Sequence, residues 1–248
     1  MKSFFSCHVS KFEVLTALWV LGVTTVSPPV MAARQEVCVK TSTGDVVCGE
    51  PVPTPVAAPT DSFLAVLKGT HSFDGRTKYI QIANQPFLNF GTGNFSVSAW
   101  VKTASRSDIE VILDKRVETS GPIQGYVVAT YNGNLLLQLA DGNGSAYTNY
   151  ISSIFIADGQ WHHIAITVDR QKSDGIRFYL DGNEASQPAD PTGRRGSLST
   201  SKPLVMGRRS DHPSWPGYFT GSMADIKLFR SNLTPQQIEK LAAEKRGE

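Results

Sequence analysis

The chain has 248 residues, 40% of them hydrophobic and 19% charged, with a formal net charge of +2. That length accommodates one ordinary domain plus an extension, and the composition excludes wholesale disorder. A charge so close to zero lacks the concentrated Lys/Arg footprint that a phosphate backbone requires, so no nucleic-acid partner is expected. The basic pairs Arg194-Arg195 and Arg208-Arg209 fall in predicted loops or strand ends and read as solvated charge.

Residues 1–32 read as an export signal. Lys2 and Lys11 mark a basic start, Val14 to Val26 is an uncharged, mainly apolar run of 13 residues, Ser27-Pro28-Pro29 breaks it, and Val30-Met31-Ala32 offers the cleavage site. The run is shorter than the ~20 residues that cross a bilayer as a helix. The expectation is therefore a protein secreted, periplasmic or in the cell envelope, with no integral membrane segment after cleavage. An uncleaved anchor is the rival reading, because the basic region is long and Glu13 abuts the apolar run.

Residues 33–49 then carry Cys38 and Cys48, flanking a stretch that reads as a small hairpin turning at Thr43-Gly44-Asp45. An even pair of cysteines in an exported chain favours a disulfide. Closing that loop would stabilise the hairpin by roughly 3 kcal/mol. A metal site is the weaker alternative, since two thiolates alone leave zinc short of ligands. Residues 50–60 are rich in Pro and Ala without hydrophobic periodicity and read as an extended linker.

The main domain spans 61–248. Period-2 alternation with turn signals predicts strands over Phe63–Leu67, Tyr79–Ile82, Phe95–Lys102, Val111–Asp114, Tyr126–Tyr131 and Leu135–Ala140. Further strands follow over Asn149–Phe155, His162–Asp169, Arg177–Leu180, Leu204–Gly207 and Met223–Phe229. Five Asp-Gly pairs fall at strand ends as turn punctuation. Thr234-Pro235-Gln236-Gln237 combines a capping Thr, Pro at the first helical position and Gln at the third, which predicts one short helix with Ile238, Leu241 and Ala242 on its buried stripe. Residues 244–248 are expected to fray. The fold class is all-β: a two-sheet antiparallel jelly-roll sandwich with one short C-terminal helix, preceded by the disulfide hairpin and linker.

Five phrases in order resemble the laminin G-like domain of the concanavalin A-like lectin/glucanase superfamily, over roughly 73–241. They are Phe73-Asp74-Gly75 with Tyr79–Ile82, then Phe95–Lys102, Trp161–Ala165, Phe178–Gly182, and Phe219–Phe229 running on to Leu233–Ile238. The resemblance implies a binding fold. It also implies a structural calcium near the opening Asp-Gly and the closing strand, at positions matching Asp74 and Asp225. Two carboxylates would need backbone carbonyls and water to complete such a shell.

The chemistry-bearing residues add little catalysis. His162 and His163 are strand neighbours, point to opposite faces and cannot chelate one ion together. Trp100 and Trp161 read as core. Glucanases of this fold place acids two apart on one strand, whereas here Glu110 and Asp114 are four apart with no acid between them. No nucleophile elbow or phosphate-cradling loop appears, so the chain is not expected to be an enzyme. Loop aromatics are the better signal, because sugars stack on them through their apolar faces. Trp215 and Tyr218 lie in the Pro-rich stretch Ser210–Tyr218, and Tyr147 and Tyr150 follow the turn Asp141–Gly144. The expected work is carbohydrate recognition at or outside the envelope, with a cell-surface protein as the alternative partner and glycoside hydrolysis disfavoured. Asn94, Asn143 and Asn232 each begin an Asn-x-Ser/Thr acceptor.

Overall fold

The computed structural model describes residues 37–40, 46–49, 63–65, 67–143 and 146–247. The expected leader 1–32, the hairpin turn at 43–45 and the linker 50–60 lie outside the described residues.

The first described unit is a two-stranded antiparallel ribbon, β1 (Val37–Lys40) and β2 (Val46–Gly49), whose register sets Cys38 opposite Cys48. The second begins with β3 (Phe63–Ala65), β4 (Thr70–Asp74), β5 (Ile80–Ile82) and a single 3-10 turn at Pro86–Leu88. Five strands of eight or nine residues follow, β6 (Phe95–Lys102), β7 (Ile109–Val117), β8 (Gln124–Tyr131), β9 (Asn134–Asp141) and β10 (Thr148–Phe155). The chain closes with β11 (Trp161–Val168), β12 (Ile176–Leu180), β13 (Asn183–Glu184), β14 (Leu204–Met206), β15 (Thr220–Phe229) and α1 (Pro235–Ala243).

All pairings are antiparallel. One sheet runs β10-β9-β8-β7-β14-β5, and the other runs β13-β12-β11-β6-β15-β3 with β4 also on β15. Their inner faces meet in one apolar core, to which the six-stranded sheet gives Tyr126, Val128, Leu135 and Leu137, and the seven-stranded sheet Phe95, Val97, Ile164 and Phe178. Alternation explains this division, since residues two apart share a face. The two-sheet jelly roll expected from the pattern is therefore the observed architecture.

Alternation also leaves each sheet an outward face. On the seven-stranded sheet, Ala165, Tyr179 and Phe229 pack under Leu233, Ile238 and Leu241 of α1 and its approach. The helix forms there because the Thr234 hydroxyl accepts from Gln237 N while the Gln237 side chain accepts from Thr234 N, with Pro235 at the first position. The tail beyond α1 does not fray as expected. Gly247 N donates to Asp225 Oδ2 at 2.6 Å, Thr70 Oγ1 donates to Gly247 O, and the Arg246 guanidinium lies 4.2 Å from the Trp161 ring centroid. These polar anchors sit upstream in the chain, so composition of the tail alone could not reveal them.

Candidate functional site

Antiparallel register reads the outward face of the six-stranded sheet as cross-strand rows. The first row runs Ile109, Tyr131, Asn134, Phe155 from β7 to β10; the second runs Val111, Ala129, Leu136, Ile151. The third starts on β14 and runs Val205, Asp114, Val127, Gln138, Asn149. Val111, Val127, Ala129 and Leu136 form a small apolar floor, with Ile109 and Tyr131 packed on it. No helix covers this face among the described residues. Among the described residues six large hydrophobic side chains are exposed, and four of them, Tyr147, Ile151, Phe155 and Trp215, border or lie on it.

A polar lattice holds the third row. Arg116 Nη2 contacts Asp114 Oδ2 at 2.8 Å and Glu118 Oε2 at 3.1 Å, and Arg116 also donates to Gln138 Oε1. Gln138 in turn donates to Asn149 Oδ1 at 2.6 Å. Burial works against the Arg116 charge, and Asp114 with Glu118 more than offsets it, holding the guanidinium above its ordinary range. Gly125 sits beside Arg116 with a φ of 127°, where any Cβ would collide with the Lys115 carbonyl.

The loop bearing Trp215 is grafted onto this face. Val111 N donates to Gly217 O at 2.9 Å, and the loop closes on itself through Arg209 N to Pro216 O at 2.7 Å. The Asp211 carboxylate accepts from Glu118 N, Thr119 N and Lys202 Nζ, tying the loop to the end of β7. Although burial raises its pKa, the Lys202 contact and these amide donors hold the carboxyl well below the usual range. Trp215 is 71% exposed, and its ring stacks on His212 with centroids 6.3 Å apart and planes at 26°. With Ser107, Asp108, Ile109, Arg209 and Gly217 it lines an open groove of about 280 Å³.

The other expected site residues divide. Tyr147 is 48% exposed at the β10 end of the face, and Tyr218 is half-buried beside the Trp215 loop. Tyr150 is a correction: it points inward, 8% exposed, packs in the main core, and burial pushes its hydroxyl up. It cannot act as a stacking platform. Sequence reasoning missed Ile151, Phe155 and Tyr131. For Ile151 and Phe155 the signal was present as alternation along β10, but both alternating sets carry hydrophobic residues, so the pattern does not say which set faces the core.

The calcium expectation on Asp74 and Asp225 is also corrected. Asp74 faces Thr220 at one end of the β4–β15 ladder, while Asp225 lies past the Ala224–Thr70 pair at the other. Five residues along a strand separate them by about 16 Å, too far for one ion. Each carboxylate has a structural task instead. Asp74 accepts from Arg76 N, Thr77 N and Lys78 N, and these bonds hold it far below the usual carboxylate range. Asp225, at φ 48°, accepts from Gly69 N and Gly247 N. Among the described residues no group of three or more His, Cys, Asp or Glu side chains could hold a metal ion.

Glu110 and Asp114 lie on opposite faces, because a bulge in β7 between Val111 and Leu113 shifts the alternation by one. Asp114 faces outward. Glu110 faces inward, with Oε1 accepting from Thr220 Oγ1 at 2.9 Å, Oε2 unpartnered, and desolvation raising its pKa. Two carboxyl groups on opposite sides of a sheet cannot flank one glycosidic bond. His163 is buried, bonded to Ser98 Oγ at 2.9 Å, and burial lowers it to about 4. His162 lies between Asp158 and Asp181 at 3.1 and 2.9 Å. Burial opposes its charge, but the two carboxylates raise it overall.

Two antiparallel sheets packed face to face, with α1 on the outward side of one of them, form a jelly-roll sandwich. The chain belongs to the concanavalin A-like lectin/glucanases superfamily, whose family model matches residues 74–239. Among curated proteins it is similar to the non-toxic nonhemagglutinin type C of Clostridium botulinum C phage, 27% identical over 112 residues that make up 45% of this chain and 9% of that protein. The chain thus spans about a tenth of the length of such relatives. Among solved structures it resembles the SAP-like pentraxin of Limulus polyphemus (TM-score 0.55, 18% identity, 73% of this chain and 84% of that one). It also resembles the CBM40 of the Ruminococcus gnavus IT-sialidase, bound there to α2,3-sialyllactose (TM-score 0.54, 12% identity, 73% of this chain and all of that one). At these identities the solved structures speak to fold. Among the described residues, no helix is long and apolar enough to cross a membrane.

Proposed function

We propose that this domain is an exported, non-catalytic carbohydrate-recognition module that takes its ligand on the outward face of the six-stranded sheet. One observation carries the reading: Trp215, 71% exposed and fixed on a loop tied to β7, stands at the edge of a face with an apolar floor and a polar third row. Aromatic rings offer sugars a flat apolar surface, and the exposed Asn149 amide, held at its Oδ1 by the buried Gln138, offers hydrogen bonds at a fixed position. Tyr147 and Tyr218 flank the same face. The glycan-bound CBM40 of the same fold supports the reading, and the opposite placement of Glu110 and Asp114 favours binding over hydrolysis. Export rests on the leader at 1–32, and oxidation of Cys38 with Cys48 fits their opposed positions.

A glycan array carrying neutral and acidic sugars, probed with the full-length exported chain, tests the reading. Reproducible hits are expected. A blank array from folded protein that captures a protein partner would contradict it and favour recognition of a cell-surface protein.

A further inference from the structure

The far end of the first row holds a positioned cation. Phe155 lies on β10, three strand spacings, or about 14 Å, from Ile109 in the Trp215 groove. Its ring packs against Gly133, where a Cβ would come within 2.5 Å of ring carbon Cε2, so only glycine leaves room for the ring there. The Arg106 guanidinium sits over that ring, 5.0 Å from the centroid. The loop carrying it is held in turn: Asn132 N donates to Ser107 O, Ser105 and Ser107 hydroxyls bond at 3.1 Å, and Thr103 Oγ1 donates to Thr220 O.

Charge separates Arg106 from its neighbours. Arg116, Arg194, Lys202 and Arg209 are each committed to an acidic side chain, at 2.6 to 3.3 Å. Arg106 is exposed and makes no ion pair among the described residues. At the other end of the row, Asp108 lines the Trp215 groove and would repel an anion there. The row is therefore polarised, with an aromatic and an acid at one end and a guanidinium on a ring at the other.

We infer that Arg106 and Phe155 form a second subsite, which takes the anionic group of an acidic oligosaccharide whose neutral ring lies on Trp215. This rests on the glycan reading above. A planar guanidinium backed by an aromatic ring presents its N–H edge to a carboxylate or a sulfate ester, and both supply the oxygen pair it matches.

The test uses the full-length chain on an array with sialylated, sulfated and unmodified versions of the same lactose core, followed by titration. Wild-type protein is expected to bind one of the two acidic forms at least tenfold more tightly than lactose, and the two acidic arms separate carboxylate from sulfate. Arg106→Gln is expected to erase that preference with an unchanged unfolding midpoint, and Arg106→Lys to restore part of it. Added salt should weaken the acidic ligand selectively. Equal binding of acidic and neutral forms, or an acidic preference that survives Arg106→Gln, would overturn the subsite while leaving glycan recognition standing. Absence of binding to every sugar on the array would overturn both.

Discussion

The two outward faces of the sandwich come from the same alternation of side chains but are finished differently. On the seven-stranded sheet the outward residues Ala165, Tyr179 and Phe229 are apolar, and α1 lays Ile238 and Leu241 on them. On the six-stranded sheet the outward residues grade from aromatic to charged, and at the charged end Asp114 and Glu118 are paired with Arg116 and Arg209. A covered face stabilises through burial; a bare face must satisfy its polar groups internally and can leave rings exposed. Fold stability and ligand contact should therefore be separable by mutation.

Removing Asp114 tests the lattice of the bare face most severely. Asp114→Ala leaves the buried Arg116 with the Glu118 carboxylate and the Gln138 amide, and breaking a buried pair costs about 3–5 kcal/mol, readable as a lower urea midpoint. On the covered face, Ile238→Ala empties a fully buried position and should cost about 2–4 kcal/mol. An unchanged midpoint for Ile238→Ala would mean that α1 does not hold the covered face.

Acid should find the same covered face through His163, which lies on it beside Ser98. Between its ordinary 6.5 and the folded value of about 4, the unfolded chain binds a proton that the folded chain refuses. Stability should therefore fall as pH drops through that window, by up to about 3 kcal/mol. His163→Asn removes this titration, so urea curves at neutral and acid pH should converge for that variant; an equal acid loss in both proteins would place the titration elsewhere. The helix cap is a smaller effect. Thr234→Ala deletes one half of the capping box and should cost about 1 kcal/mol by the same measurement.

Much of this architecture can be read from sequence, because period-2 patterns, Asp-Gly turns and the Thr234–Gln237 capping box are local signals. What escapes is set by geometry between segments. The bulge in β7 places Glu110 inside and Asp114 outside, and nothing in the run Glu110–Asp114 announces it. Tyr150 turns inward while Ile151 and Phe155 turn outward, and β10 carries hydrophobic residues on both sides, so the alternation does not tell them apart. Asp74 and Asp225 match positions of a resembled family, yet the register separates them along a ladder and backbone amides occupy both. That Trp215 lies outside the strands was legible, because its flanking prolines, Pro213 and Pro216, remove backbone donors and keep the segment out of the sheet.

The most direct measurement pairs binding with stability in two variants, one from each face, using whichever array glycan binds the wild-type chain. Trp215→Ala is expected to weaken binding at least tenfold while shifting stability by less than about 0.5 kcal/mol, as exposed substitutions do. Ile238→Ala is expected to lower the unfolding midpoint while leaving affinity unchanged wherever the protein remains folded. Glycan binding that survives Trp215→Ala, or that falls in proportion to stability in both variants, would contradict a ligand site on the bare face.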